Sequence, residues 1–310
     1  MREFIHSIAQ LNYPREGFEL ILSDGSPNDG LRSVVEAAGA AAGLPVVFHH
    51  EDYLPVSEAR NLAAHHAQGE YLIFLDSDCL LPADYLERVE AGLAQHNWDA
   101  FGGPDAAPEN FSPLQKAISF SMTSFWTTGG IRGGAKRTAA YYPRGFNMGM
   151  KRSVFEAVGG YDVHFKTGED VDLSIRTKRA GYQVGLIPKA LVWHKRRSTL
   201  PQFFKQVRRF GGARWALAQR HPGQLKVTHL FPLLLTLGTL FSILLAAVAA
   251  VPLLVVFIGY FLVPCILAGV QYRSARIGIL SVASTVVMMS AYAIGFLEAV
   301  MGGGSHTKRG

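Results

Sequence analysis

From Phe18 onward, short apolar runs alternate with amphipathic stretches. Phe18–Ser23 reads as a strand that stops at the turn residues Asp24-Gly25-Ser26. Leu31–Gly43 has helical spacing with Gly43 as its stop, and Pro45–His49 reads as a second strand. Ser57-Glu58-Ala59-Arg60 opens another helix that reaches Ala67, with Gly69 closing it. Glu70–Leu75 is apolar at each position from Tyr71 to Leu75, the pattern of a strand buried on both faces. Pro82–Leu93 is the next helix. Strands joined through helices predict an α/β domain with a mostly parallel sheet, whose ligands bind at the carboxyl ends of the strands. Asp24 and the pair Asp76/Asp78 stand at that end, and so predict a single pocket.

The pattern changes near residue 200. Leu200, Phe203, Phe204, Val207 and Phe210 share one helical face, with Lys205, Arg208 and Arg209 largely off it. This fits a helix lying in the headgroup plane of a membrane, or a helix packed on a protein core. Beyond it, Leu230–Ala250, Pro252–Val270 and Ile277–Leu297 are each long enough to cross a bilayer, with Ala250-Val251-Pro252 as a turn and Arg273 and Arg276 in the second connection. Four regions follow: an α/β domain over 1–199, an interfacial and basic segment over 200–227, a transmembrane region of about three spans over 228–300, and a tail over 301–310.

Composition sharpens this division. Of 310 residues, 49% are hydrophobic and only 17% charged, and the excess lies in the C-terminal third. Between Asp172 and Glu298 there is no acidic residue, whereas Arg176 to Lys226 carries thirteen Lys and Arg. A basic block directly before apolar spans suits anionic lipid headgroups better than nucleic acid, and places the domain in the cytoplasm. Two cysteines, Cys79 and Cys265, in segments of different character argue against a disulfide framework. The transmembrane stretch lacks the charged residues that line a transport pathway, which disfavours a transport subunit.

Asp76 and Asp78 follow a buried strand, and their carboxylates are hard ligands suited to Mg²⁺ or Mn²⁺ and to a metal-bridged diphosphate. An Asp-x-Asp pair is equally common as a solvated turn, and Pro82 leaves Asp78 readable as a helix cap. Asp170, after Gly168, fits a helix cap as well as a catalytic base.

The accompanying segments are more specific. Ser23-Asp24-Gly25-Ser26, Glu58-Ala59-Arg60-Asn61 and Gly69 to Asp78, in that order, resemble the signature of the family 2 glycosyltransferases of the GT-A fold. Gly145-Phe146-Asn147-Met148-Gly149, Val158-Gly159-Gly160-Tyr161-Asp162 and Gly168-Glu169-Asp170-Val171-Asp172-Leu173 resemble its acceptor-side strand, turn and Glu-Asp motif. Gln206-Val207-Arg208-Arg209-Phe210 is similar to the Gln-x-x-Arg-Trp of processive members, with Phe in place of Trp. The resemblance covers about residues 1–220 and is strongest to the membrane-anchored branch that builds bacterial exopolysaccharides, including succinoglycan-type enzymes.

The resemblance implies an inverting glycosyltransferase, moving a sugar from a nucleotide-diphosphate donor to a lipid-linked or polysaccharide acceptor at the inner membrane. It implies that Asp24 contacts the base, that Arg60 supports base or diphosphate, and that Asp76 lies near the ribose. Asp78, with His194 as a further ligand, would hold Mn²⁺ or Mg²⁺. Asp170 would be the general base with Glu169 beside it, and Gln206 and Arg209 would clamp the diphosphate. The glycine-rich loop Thr127–Arg144, with Lys136 and Arg137, is a candidate segment near the acceptor. One departure stands out: Met1–Ile5 already reads as a helix, where the family usually begins with a strand beside the nucleotide. This leads to the expectation of a translation start upstream, and admits the alternative of a membrane-tethered pseudo-enzyme that binds without turnover.

Overall fold

The computed structural model describes residues 1–108, 110–129, 141–245 and 251–302. They form two units: Met1–Pro108 with Ala139–Lys195, and Glu109–Thr138 with Arg196–Gly310.

Along the first unit the chain makes α1 (Arg2–Ala9), β1 (Leu20–Asp24), α2 (Arg32–Ala42), β2 (Val46–His50), α3 (Val56–His66), β3 (Tyr71–Leu75), β4 (Cys79–Leu80), α4 (Tyr85–His96), β5 (Ala100–Gly102) and β6 (Asp105–Ala106). It passes to the second unit for α5 (Pro113–Thr123) and α6 (Phe125–Thr128). It returns for β7 (Asn147–Lys151), α7 (Arg152–Ala157), α8 (Glu169–Arg179), β8 (Val184–Leu186) and β9 (Val192–His194). The rest of the second unit is α9 (Leu200–Arg220), α10 (Phe231–Leu245), α11 (Val251–Gln271) and α12 (Ala275–Met301).

The predicted elements before residue 100 form close to where the pattern put them, but the sheet is mixed rather than mostly parallel. β1 and β2 pair in parallel as a two-stranded sheet. A second sheet has the order β3-β7-β5-β8, with β7 antiparallel to both β3 and β5 and only β5–β8 parallel. β4, β9 and β6 make a third, small sheet beside the candidate site. Hydrophobic runs identify buried strands but not their partners, so the late insertion of β7 between β3 and β5 left no mark in local periodicity.

The period of two along β3 divides two cores. Leu72 and Phe74 pack with Met148, Met150, Phe155, Tyr161 and Leu173. Tyr71, Ile73 and Leu75 lie against the cluster of Phe4, Ile5 and Ile8 from α1 with Val35, Tyr85 and Phe101. α1, which Met1–Ile5 was expected to begin, is thus a core helix.

In the second unit α12 is the hub, packing on α9, α11, α5 and α10. Half of its most apolar stretch is buried, against about a tenth for α11. Ser121 of α5 lies within 2.6 Å of Ser284 Oγ and 3.1 Å of Thr285 Oγ1, and all three hydroxyls are buried. Gly295 lets α9 approach closely, since a Cβ there would sit 1.9 Å from the Arg208 carbonyl oxygen.

Among the described residues, two helices are long and apolar enough to cross a membrane, Leu253–Gln271 within α11 and Ala275–Met301. The first expected span is described as helix only over Phe231–Leu245, which is shorter. Residues 246–250, much of the glycine-rich loop (130–140, with Lys136 and Arg137) and most of the tail lie outside the described residues. The stripe on α9 packs within its own unit. Phe203 and Val207 are buried with Met288, Met289 and Ala291 of α12, and Phe204 and Phe210 pack on the same cluster. Helical spacing records an apolar partner without saying whether it is lipid or another helix. Here much of the stripe meets a helix.

Candidate active site

β3 ends at Leu75, and Asp76 follows it directly. Arg60, on α3, sends Nη2 to Asp76 Oδ1 at 2.8 Å and Nη1 to Glu169 Oε1, also at 2.8 Å. Its guanidinium carbon lies 5.3 Å from the centre of the Tyr161 ring. One buried cation therefore ties the end of a strand to the start of α8. Gly145 makes room for it, because a Cβ there would fall 2.6 Å from both Nη atoms. The Arg60 and Glu169 side chains are only 13% and 11% exposed, whereas Asp76 is 41% exposed. Burial opposes the Arg60 charge, but Tyr161, Asp76 and Glu169 around it more than offset this and raise its pKa. Glu169 is itself pushed above the usual carboxylate range, by burial first and by Asp170 second, with Arg60 pulling the other way.

The cap reading of Asp170 does not hold, because the cap position of α8 is Gly168. Gly145 N–H donates to Asp170 Oδ2 at 2.9 Å and Val171 N–H donates to Oδ1 at 2.7 Å. Each oxygen keeps acceptor capacity, so the group is oriented without being saturated. The acidic first turn of α8 (Glu169, Asp170, Asp172) also sits where the helix dipole favours negative charge.

Asp78 is likewise not a cap, since α4 is capped at Asp84. Antiparallel pairing of β4 with β9 sets Cys79 opposite His194. Asp78, Cys79 and His194 offer ligand atoms within 4.8 Å of one another. His194 Nε2 is 3.2 Å from Asp78 Oδ1, and the His194 ring stacks on Phe146 at 4.9 Å. Asp78 is 34% exposed, which leaves an approach from solvent. The Cys79 thiol donates to the Phe146 carbonyl and is pushed far above the ordinary thiol range, by burial and then by Asp76, Asp78 and Asp105. With Cys79 turned to the Phe146 carbonyl, a carboxylate and an imidazole remain as donors. That set fits Mn²⁺ or Mg²⁺ better than a soft metal.

Asp24 ends β1 in a cluster of its own. Its Oδ1 accepts from Ser26 N–H (3.2 Å) and Ser26 Oγ (2.7 Å), while Oδ2 lies 3.2 Å from His50 Nδ1. His50 Nε2 in turn lies 2.9 Å from Asp52 Oδ1. Burial lowers the His50 pKa, but its bonds to Asp52 and Asp24 outweigh this and raise it. Gln206 and Arg209 lie on α9 of the second unit. Neighbouring Arg208 forms a two-point ion pair with Glu298, at 2.6 and 2.7 Å.

Sequence reasoning missed three groups here. His50 and Cys79 sit beside predicted residues and carry no motif. Asp105, in the Gly-Gly-Pro-Asp segment, is fully buried with Oδ2 3.6 Å from His194 Nδ1.

Residues 71–270 match the family model described as glycosyl transferase family group 2, and residues 2–97 match glycosyltransferase like family 2. The succinoglycan biosynthesis protein ExoA of Rhizobium meliloti is 28% identical over 292 residues, covering 89% of this chain and 84% of that protein. The glycosyltransferase AglE of Haloferax volcanii is 22% identical over 67% of this chain and 66% of its own length. Among solved structures, the mannosyltransferase PcManGT from Pyrobaculum calidifontis, in complex with GDP-Man and Mn²⁺, is 18% identical with a TM-score of 0.60. It covers 96% of this chain and 82% of that one, and the two share the GT-A fold.

Proposed function

This chain belongs to glycosyl transferase family group 2 and is a glycosyltransferase, and from that premise we propose how it works and on what. It transfers a sugar, with inversion, from a nucleoside-diphosphate sugar to a lipid-linked or saccharide acceptor. It does so at the cytoplasmic face of a bacterial membrane, which its apolar C-terminal helices span more than once. The role of ExoA in succinoglycan biosynthesis supports an exopolysaccharide acceptor. The GDP-Man and Mn²⁺ of the mannosyltransferase support the donor class and a divalent ion.

The observation that carries the reading is Asp170, held by two backbone N–H groups beside the Arg60 bridge. Inversion needs one base and no covalent nucleophile. Asp170 takes the proton of the acceptor hydroxyl as its oxygen bonds to the anomeric carbon, and the bond from that carbon to the diphosphate oxygen breaks. Glu169 stands beside Asp170, with Oε1 held by Arg60. Asp24 receives an N–H of the base, and Asp76 faces the ribose. Asp78 and His194 would hold Mn²⁺ or Mg²⁺, which supplies positive charge to the departing diphosphate.

The full chain in detergent, screened with nucleotide sugars and Mn²⁺, should turn over one donor and yield a product of inverted anomeric configuration by NMR. Asp170→Asn should lower kcat by about 10²- to 10⁴-fold, the usual contribution of a positioned base. Full activity in that variant, or a retained configuration, sinks the proposal.

A further inference from the structure

β6 runs parallel to β9 with Asp105 paired to Val192 and Ala106 to Trp193. This register carries the Asp105 carboxylate under the His194 ring, in a place with no exposure to water. His194 is then bounded on three sides. Phe146 covers a ring face, Asp78 Oδ1 lies 3.2 Å from Nε2, and Asp105 Oδ2 lies 3.6 Å from Nδ1, within ion-pair range.

A neutral imidazole carries one N–H, and the group facing each nitrogen decides which one bears it. Each ring nitrogen faces a carboxylate, so protons are drawn to both sides; a cation held between Nε2 and Asp78 would take the place of one of them and leave Nδ1–H toward Asp105. Carboxylate–histidine–metal relays of this kind orient the ring and raise its basicity as a ligand.

We propose that Asp105 is a positioning residue that fixes the tautomer and orientation of His194, so that Nε2 and Asp78 together form the divalent-cation site. This rests on the metal reading given above. It assigns a task to a residue that touches neither donor nor acceptor, and it explains a buried acid in a two-residue strand.

The test is Mn²⁺ binding to the full chain in detergent, followed by the EPR signal of free Mn²⁺. Asp105→Asn should weaken binding by about 10- to 100-fold, the usual loss when a partner of a ligand histidine is removed. In an His194→Ala background the same change should cost nothing further, because Asp105 acts through that ring. A merely structural role would cost the same in both backgrounds, and that result overturns the inference. So does wild-type affinity in Asp105→Asn. Absence of Mn²⁺ binding in the wild type overturns the metal reading itself. The wild-type chain offers a check that does not depend on how the variants fold: ¹⁵N-histidine NMR with saturating Mg²⁺, assigned against His194→Gln, should show His194 protonated at Nδ1 alone. Protonation at Nε2 refutes the proposal.

Discussion

Replacing Arg60 with methionine keeps an unbranched apolar stem and removes the cation that Glu169 and Asp76 share. The two carboxylates respond differently. Asp76 is 41% exposed, so its half of the bridge is screened and contributes at most about 1 kcal/mol. Glu169 is buried, and stripping the partner from a buried charge costs about 3–5 kcal/mol. For a unit of this size that lowers the thermal midpoint by about 6–20 °C, read by scanning fluorimetry of the full chain in detergent. The pH dependence has a definite sign. The folded pKa of Glu169 is raised, so protonated Glu169 favours the folded state at low pH, and that benefit is lost as pH rises through the raised value. Without Arg60 the folded value climbs further, so the gap between wild type and Arg60→Met should widen from pH 5 to pH 8. Adding Glu169→Gln to the variant should recover more than half of the loss, because the uncompensated charge is gone. A midpoint within 2 °C of wild type, or a Glu169→Gln loss that simply adds to the first, would show that the bridge does not stabilise the fold as described.

Other outcomes follow from the same geometry. Gly145→Ala should cost about 1–3 kcal/mol, since its Cβ would press on a guanidinium that is already pinned; the midpoint loss should be less than additive with Arg60→Met. Gly295→Val should disrupt the close crossing of α9 and α12 and lower the yield of monodisperse protein, whereas Ser290→Val, at a half-buried position on α12, should not. Glu298→Gln should shift stability by less than about 1 kcal/mol, because both partners of Arg208–Glu298 are roughly half-exposed. A larger shift would show that the pair sits in a less screened setting.

Much of this was legible because it is local. Asp76 and Asp78 follow a five-residue apolar strand, and Gly43 ends a helix, whatever the rest of the chain does. α5 was also legible, for Ser112-Pro113-Leu114-Gln115 closes a reciprocal cap, yet it lay in a stretch without a family motif. Non-local facts were not readable. β7 enters between β3 and β5 from about 45 residues downstream, and no periodicity encodes that order. Arg60 was expected to serve the donor, but its nearest partners in the fold are two carboxylates. Asp105 gives no signal in sequence, because its partner stands 89 positions later.

The hydroxyl node of Ser121, Ser284 and Thr285 also sets a clock. Ser121 and Ser284 are 163 positions apart, so at about 5–20 residues per second some 8–30 s pass between their synthesis. For that interval α5 exists without the helix that buries Ser121, Ile118 and Met122. α9, α10 and α11 are all made before α12 arrives to meet them. Assembly of this unit therefore waits on α12, which is made after the helices it packs on. A chain interrupted after Gln271 would hold four helices without their common partner, a ready substrate for quality-control proteolysis.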